Sequence, residues 1–308
     1  MLDIVNKRFW FFLASGVVIL IGIISLAAVG FKIGVDFSPG SMMTVGFEQE
    51  VGQGELEQEL AGLGYGNAIV QRTGEGDFII RTQELDAAGK SALEAALADK
   101  FGSLAEREFY SVSPMVAAET ASNAAIAVAV AALGILLYVT WAFRRMPSPF
   151  RYGTCAVVAL VHDVLVVLGV FSILSAILSW EINLMFITGV LAVIGYSVNN
   201  TVVVFDRIRE NLKKGISPDF EVVVNGSLVE TVSRSLNTSL TTIIVVLALL
   251  LFVGASIQNF AVVLLIGIFA GTFSSLCIAP MLLVVWERGE WGRFIQWLPL
   301  PAARAKNG

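Results

Sequence analysis

One histidine, two cysteines and a charged fraction of only 15% leave this 308-residue sequence short of the groups that most catalytic and metal sites use. His162, Cys155 and Cys277 are too scattered for zinc-ligand spacing. No nucleophile–base arrangement and no Gly-rich phosphate loop accompany them. Enzymatic activity, a cofactor and a resident metal are therefore not expected, and neither is a nucleic-acid partner. Both cysteines fall within apolar runs, where they read as small buried residues and not as a disulfide.

What the chain has in quantity is hydrocarbon. Hydrophobic residues make up 56% of it, and the mean hydropathy of +0.79 lies outside the range of soluble domains. A 30 Å hydrocarbon layer needs about 20 apolar residues per helix. Runs of that kind occupy 10–30, 121–143, 152–179, 184–205, 236–254 and 260–286, which predicts six transmembrane helices and contact with membrane lipids. The first run is longer than a cleavable signal core and is expected to remain as an anchor. Placing the N-terminus in the cytoplasm puts 14 of the 20 basic residues inside, and the outer turns "SWEIN" and "GASIQN" then carry no Lys or Arg. The expected layout is a cytoplasmic N-terminus with the first helix (1–30), a water-exposed domain (31–118), helices two to six (119–287) and a cytoplasmic tail (288–308). The connection 207–233, with "RIRENLKKG", reads as a helix running on into water.

The 31–118 segment is polar and acidic. "SMMTVGF" reads as a strand and "QGELEQELAGLG" as a short helix ended by glycines. "NAIVQRTGEGDFIIRT" gives two strands about a turn at Gly74, Glu75, Gly76 and Asp77. "AGKSALEAALADKFG" gives a helix with Leu93, Ala96, Leu97 and Phe101 on one face, and "EREFYSV" a last strand. The β-α-β-β-α-β order predicts a ferredoxin-like α+β domain. Its acidic side chains suit a solvated face, and binding suits it better than catalysis.

Ionisable groups inside a span cost about 2.5–3.5 kcal/mol even on the insertion scale, so each is a functional candidate. "ALVHDVLVVLG" puts His162 and Asp163 about 11 residues into the third run. "SRSLNTSLTTI" opens the fifth with Arg234, and Arg234, Thr238 and Thr241 follow helical spacing as one polar stripe. "GYSVNNTVVVFDRIRENL" sets Gly195, Tyr196, Ser197, Asn199, Asn200 and Thr201 within the fourth. Interhelical hydrogen bonding would account for any of these amides and hydroxyls taken singly. Together with Asp163 and Arg234 they favour a hydrated polar seam, with a proton path as its use. Gly267 and Gly271 form a GxxxG step that close helix packing explains, and Pro280 should kink the last helix.

Five blocks in order, "GVDFSPGSMM", "VHDVLVVLG", "IGYSVNNTVVVFDRIREN", "SRSLNTSLTT" and "GIFAGTFSSLCIAPML", make the chain resemble the SecF family. That family belongs to the bacterial SecD/SecF protein-export complex and the resistance-nodulation-division superfamily. The resemblance implies a six-helix subunit that pairs with SecD and uses the proton-motive force to draw preproteins outward after SecA and the SecYEG channel have moved them. It implies relay roles for Arg234 and Asp163, with Asp36 in the first block and Asp206 and Arg207 closing the third as motif positions. Two residues depart from the family pattern. Asn200 stands where an aspartate is expected, and Pro39–Gly40 where two glycines are usual. An amide cannot bind and release a proton near neutral pH. Three explanations stay open: a natural variant that relies on SecD's own carboxylate, a relay carried by Asp163, or an engineered block. A purely structural subunit is the alternative function. An exporter of lipids or small molecules would need a second six-helix half, for which the chain is too short.

Overall fold

The computed structural model describes residues 3–34, 36–73, 76–178, 180–252 and 255–292. In chain order the elements are α1 (Arg8–Val29), β1 (Gly40–Phe47), α2 (Gln53–Gly62), β2 (Ile69–Arg72), β3 (Phe78–Thr82), α3 (Ala87–Phe101), β4 (Leu104–Val112), α4 (Pro114–Ala142), α5 (Pro149–Leu178), α6 (Leu184–Lys214), α7 (Phe220–Phe252), α8 (Ala255–Cys277) and α9 (Ala279–Arg288). They form two compact units. One comprises 1–31, 127–180 and 185–308, the other 32–126 and 181–184.

The helical unit supplies the six predicted spans, each 25–33 residues long. At 1.5 Å per residue all of them exceed a 30 Å hydrocarbon layer and continue past it. Helices α5, α6 and α8–α9 form the interior, while α1, α4 and α7 present most of their surface outward. Glycine contacts at two crossings set how closely the helices approach. A Cβ built on Gly169 would lie 2.6 Å from the Gly22 Cα, so α1 and α5 cross backbone against backbone. A Cβ on Gly267 would meet the Val193 side chain, and one on Gly271 would lie 2.9 Å from the Ser197 Cβ. The GxxxG step thus presses α8 onto α6. Pro280 lies in the first turn of α9, and the helix breaks at Ile278 because proline has no N–H to continue the ladder. Cys155 and Cys277 are free thiols.

The 207–233 connection differs from the expectation. Helix α6 does run on, but α7 begins at Phe220, so most of the supposed loop is an antiparallel helical hairpin turned over 215–219. Val223, Val224 and Leu228 bury themselves with Ile208 along its seam. The Asn211 amide donates to Ser227 (3.0 Å) and Glu230 (2.9 Å), and Arg207 donates to Glu230. The apolar residues of 220–232 do not form a run long enough to read as a span, and the buried ones fall on one helical face.

At the same end of the bundle Arg8 is 4% exposed, and a buried charge needs a counter-charge. It pairs with Glu290 at 2.7 Å and Glu221 at 2.9 Å. Arg288 extends the network to Glu221 (3.0 Å) and Asp219 (3.1 Å). Asn225 accepts from the Ile4 backbone at 2.8 Å. The chain's first residues, the start of α7 and the end of α9 are therefore tied together.

The second unit is the ferredoxin-like domain, a four-stranded antiparallel sheet in the order β2-β3-β1-β4. Of the expected turn between β2 and β3, Gly74 and Glu75 lie outside the described residues. Leu56 and Leu60 of α2 and Leu93 and Leu97 of α3 pack on Met43, Val45, Val70, Phe78 and Ile80 as one core. A register shift between Thr44 and Val45 leaves Arg107 of β4 as a bulge residue. Asp86 caps α3 by accepting from the Gly89 N–H at 2.7 Å. Asp36 holds a second junction. Its carboxylate accepts from the Leu184 N–H at 2.8 Å, while Ile33 and Ile182 form a parallel bridge and Arg81 pairs with Glu181. Burial lowers the Arg81 guanidinium below its ordinary range, and Asp36 partly offsets the effect.

The α1–α5 crossing leads to a mutational contrast. Gly169→Ala should destabilise the protein by about 1–3 kcal/mol, since two backbones must separate, whereas Gly16→Ala, with nothing within 4 Å of the added methyl, should not. Thermal unfolding of the two variants in detergent measures the difference.

Candidate functional site

Asp163 sits midway along α5, 1% exposed. Its Oδ2 accepts from the hydroxyls of Ser197 on α6 and Ser274 on α8 (2.8 Å), and its Oδ1 lies 2.9 Å from His162 Nδ1. Three helices thus meet at one carboxyl. The close α6–α8 approach at Gly271 brings the Ser197 and Ser274 hydroxyls to it. His162 is 8% exposed, with its ring against Phe273.

Arg234 lies elsewhere. It stands on the exposed face of α7, 18 residues before Phe252, about 27 Å along the axis. Thr238 and Thr241 share that exposed face, and each folds its hydroxyl back onto a carbonyl of its own helix. Among the described residues Arg234 forms no ion pair. A groove beside it is lined by Val202, Val203, Asp206, Arg207, Glu210 and Thr231. Asp206 pairs with Arg209 within α6, and Arg207 bridges Glu210 and Glu230, so of these two motif residues Arg207 ties α6 to α7.

The polar run on α6 divides between two faces. Gly195 and Asn199 are exposed, while Ser197, Asn200 and Thr201 are buried. The single seam anticipated from the sequence is therefore two features: a buried hydroxyl-lined carboxyl and an exposed polar stripe. Among the described residues, no hydrogen bond or ion pair joins Asp163 to Arg234. Asn200 is 4% exposed, and its Nδ2 has no hydrogen-bond partner.

The description "Protein export membrane protein SecD/SecF, C-terminal" matches residues 92–289. The protein translocase subunit SecF of Thermobaculum terrenum is 42% identical, over 96% of this chain and 97% of that protein. Its counterpart in Anaerolinea thermophila is 39% identical, over 98% and 100%. This chain belongs to the SecF family. Among solved structures, SecDF of Thermus thermophilus, described as a translocon-associated membrane protein, superposes with a TM-score of 0.81 at 30% identity. That superposition covers 93% of this chain and 39% of the SecDF chain.

Within this SecF-family bundle the sequence reading missed one feature. Ser227, Thr231, Ser235 and Ser239 recur every four residues on α7 and are all buried, facing inward where Arg234 and Thr238 face outward. Ser227 and Thr231 donate to carbonyls of their own helix, and Ser239 meets Thr272 of α8 (2.5 Å) and Tyr196 of α6 (3.2 Å). The four-residue spacing was there to be read, but the neighbouring charge drew attention to the other face.

Removing Asp163 takes away the shared partner of Ser197, Ser274 and His162 at once, whereas removing Ser274 removes one hydrogen bond to it, a loss of about 0.5–1.5 kcal/mol. Asp163→Ala should therefore lower the unfolding temperature well beyond Ser274→Ala. Thermal unfolding in lipid nanodiscs checks this, and equal effects would rule out Asp163 as the junction of α5, α6 and α8.

Proposed function

We propose that the chain is the SecF-type subunit of an accessory protein-export complex in the bacterial cytoplasmic membrane, with both termini cytoplasmic and the ferredoxin-like domain outside. It works with SecD beside the SecYEG channel and SecA, and couples inward proton movement to the outward passage of preprotein segments. Family membership supports the export role.

The observation that carries the coupling is Arg234. An arginine with no ion-pair partner among the described residues, at the margin of a 30 Å hydrocarbon layer, is costly facing lipid. A partner subunit of related topology that offers a carboxylate against the stripe of Arg234, Thr238 and Thr241 removes that cost. Proton binding to this partner carboxylate breaks the pair and shifts α7. One charge crossing 100 mV supplies about 2.3 kcal/mol, enough to bias such an equilibrium. Asn199, exposed on α6, belongs to the same contact surface. Asn200 does not titrate, so in this chain the relay draws its carboxylates from the partner and from Asp163.

A second reading, a subunit that only stabilises SecD and the channel, is favoured by one residue: the amide at position 200 where the family pattern has an aspartate. Substituting Asn200→Asp bears on the choice: a gain in proton-dependent export points to a coupling subunit with a disabled relay, and no change points to a scaffold or to a relay located elsewhere.

Arg234→Met should abolish the proton-dependent part of preprotein export in inverted vesicles. ATP-driven export and co-purification with SecD should both be retained. Export that keeps its full response to the proton gradient would remove Arg234 from the mechanism.

A further inference from the structure

Helices α6 and α7 pack antiparallel in a register fixed by named contacts. Tyr196 lies opposite Ser239 at 3.2 Å, and Asn211 lies opposite Ser227 at 3.0 Å. One turn along from the first pair, helical register brings Asn200 on α6 and Ser235 on α7 to the same level. Both are buried, 4% and 2% exposed, and both carry a polar atom without a partner: Asn200 Nδ2 and Ser235 Oγ. Ser235 is the one member of the α7 hydroxyl row left unsatisfied. The other three are bonded, two of them to backbone carbonyls that Ser235 does not use. Two orphaned groups at the same level of one helix pair mark a place for a shared polar ligand, since buried polar groups are otherwise satisfied. A neutral molecule with donors and acceptors on a single atom fits, and water is the smallest one.

The position also matters. Ser197, which donates to Asp163, is one turn from Asn200 on α6, and Thr231, which lines the Arg234 groove, is one turn from Ser235 on α7. We propose that Asn200 and Ser235 hold a buried water molecule between α6 and α7, and that this water carries protons between the Arg234 groove and Asp163. The water passes one proton to Ser197 Oγ as the Ser197 hydroxyl proton moves to Asp163 Oδ2. The water then regains a proton from the groove, so one proton is transferred and each hydroxyl is restored. His162 on α5 is the titratable group facing Asp163, while α6 and α8 contribute only the hydroxyls of Ser197 and Ser274.

This inference rests on the coupling reading above for its transport half only. The test uses the full chain with its SecD partner. High-resolution cryo-electron microscopy in nanodiscs should show water density bridging the two side chains. Proton uptake into proteoliposomes under an imposed potential should fall about tenfold or more in Ser235→Ala and in Asn200→Leu. Unchanged co-purification with SecD and an unchanged unfolding temperature identify variants that remain folded, and the small Ser235→Ala change provides the conservative case. No bridging density overturns the water site. Bridging density with undiminished uptake in Ser235→Ala overturns the route and leaves a structural water. A wild-type complex that passes no protons overturns the coupling reading and the route with it, while the density still decides the site.

Discussion

A carboxyl buried midway along a membrane helix stays there only if other groups come to it, and the arrangement of α5, α6 and α8 follows from that requirement. Asp163 is met by Ser197, Ser274 and its own neighbour His162. Serine hydroxyls are short, so the helices that carry them must approach closely. Gly271, against Ser197, and Gly267, against Val193, permit that approach between α6 and α8. The glycine step and the polar cluster are thus one device. Larger residues at the glycines would hold the serines away from the carboxyl, and apolar residues at the serines would leave a buried carboxyl with His162 as its one remaining partner among the described residues.

The same economy of size runs through the rest of the bundle. Backbone contact at Gly22 and Gly169 brings α1 against α5, and small hydroxyls line the inner face of α7 where it lies on α6 and α8. Helices in lipid gain little from hydrophobic exclusion of one another, so close packing and interhelical hydrogen bonds must hold them together. At the charged end the bundle uses ion pairs instead. There Arg8 is buried, and Glu221, Glu290 and Arg288 neutralise it as a network and not as isolated pairs.

Much of the fold was legible in the sequence because it follows from periodicity and composition. Six apolar runs specified six helices, and the order of short polar elements between the first two specified a ferredoxin-like sheet. The helical hairpin at 207–233 was not legible. Its apolar residues are broken up by polar ones, and side-chain bonds such as Asn211 to Ser227 and Glu230 hold it together, which sequence spacing does not reveal. The candidate site was legible residue by residue but not as an arrangement. Asp163, Asn200 and Arg234 all stood out as polar groups in apolar surroundings. That Arg234 faces outward while Asn200 faces inward depends on helix rotation, and adjacent residues differ by about 100°. The row Ser227–Ser239 shows the reverse case, with a clear spacing attached to residues too ordinary to attract notice.

Helix α7 therefore carries two polar faces with different duties. Its outer face holds Arg234 and a few hydroxyls already bonded to their own backbone. The inner face is a row of small groups bonded to α6, to α8 or to α7's own backbone, with Ser235 as the exception. A rotation or slide of α7 that answers a change at Arg234 must also break or remake the contacts of Tyr196, Ser239 and Thr272 on the inner side. Each of those bonds is worth only about 0.5–1.5 kcal/mol. That is comparable to the energy a proton brings across the membrane and small beside the packing of the bundle. The inner-face bonds are therefore the weakest part of the α7 packing, and the proposed coupling needs only those to be remade.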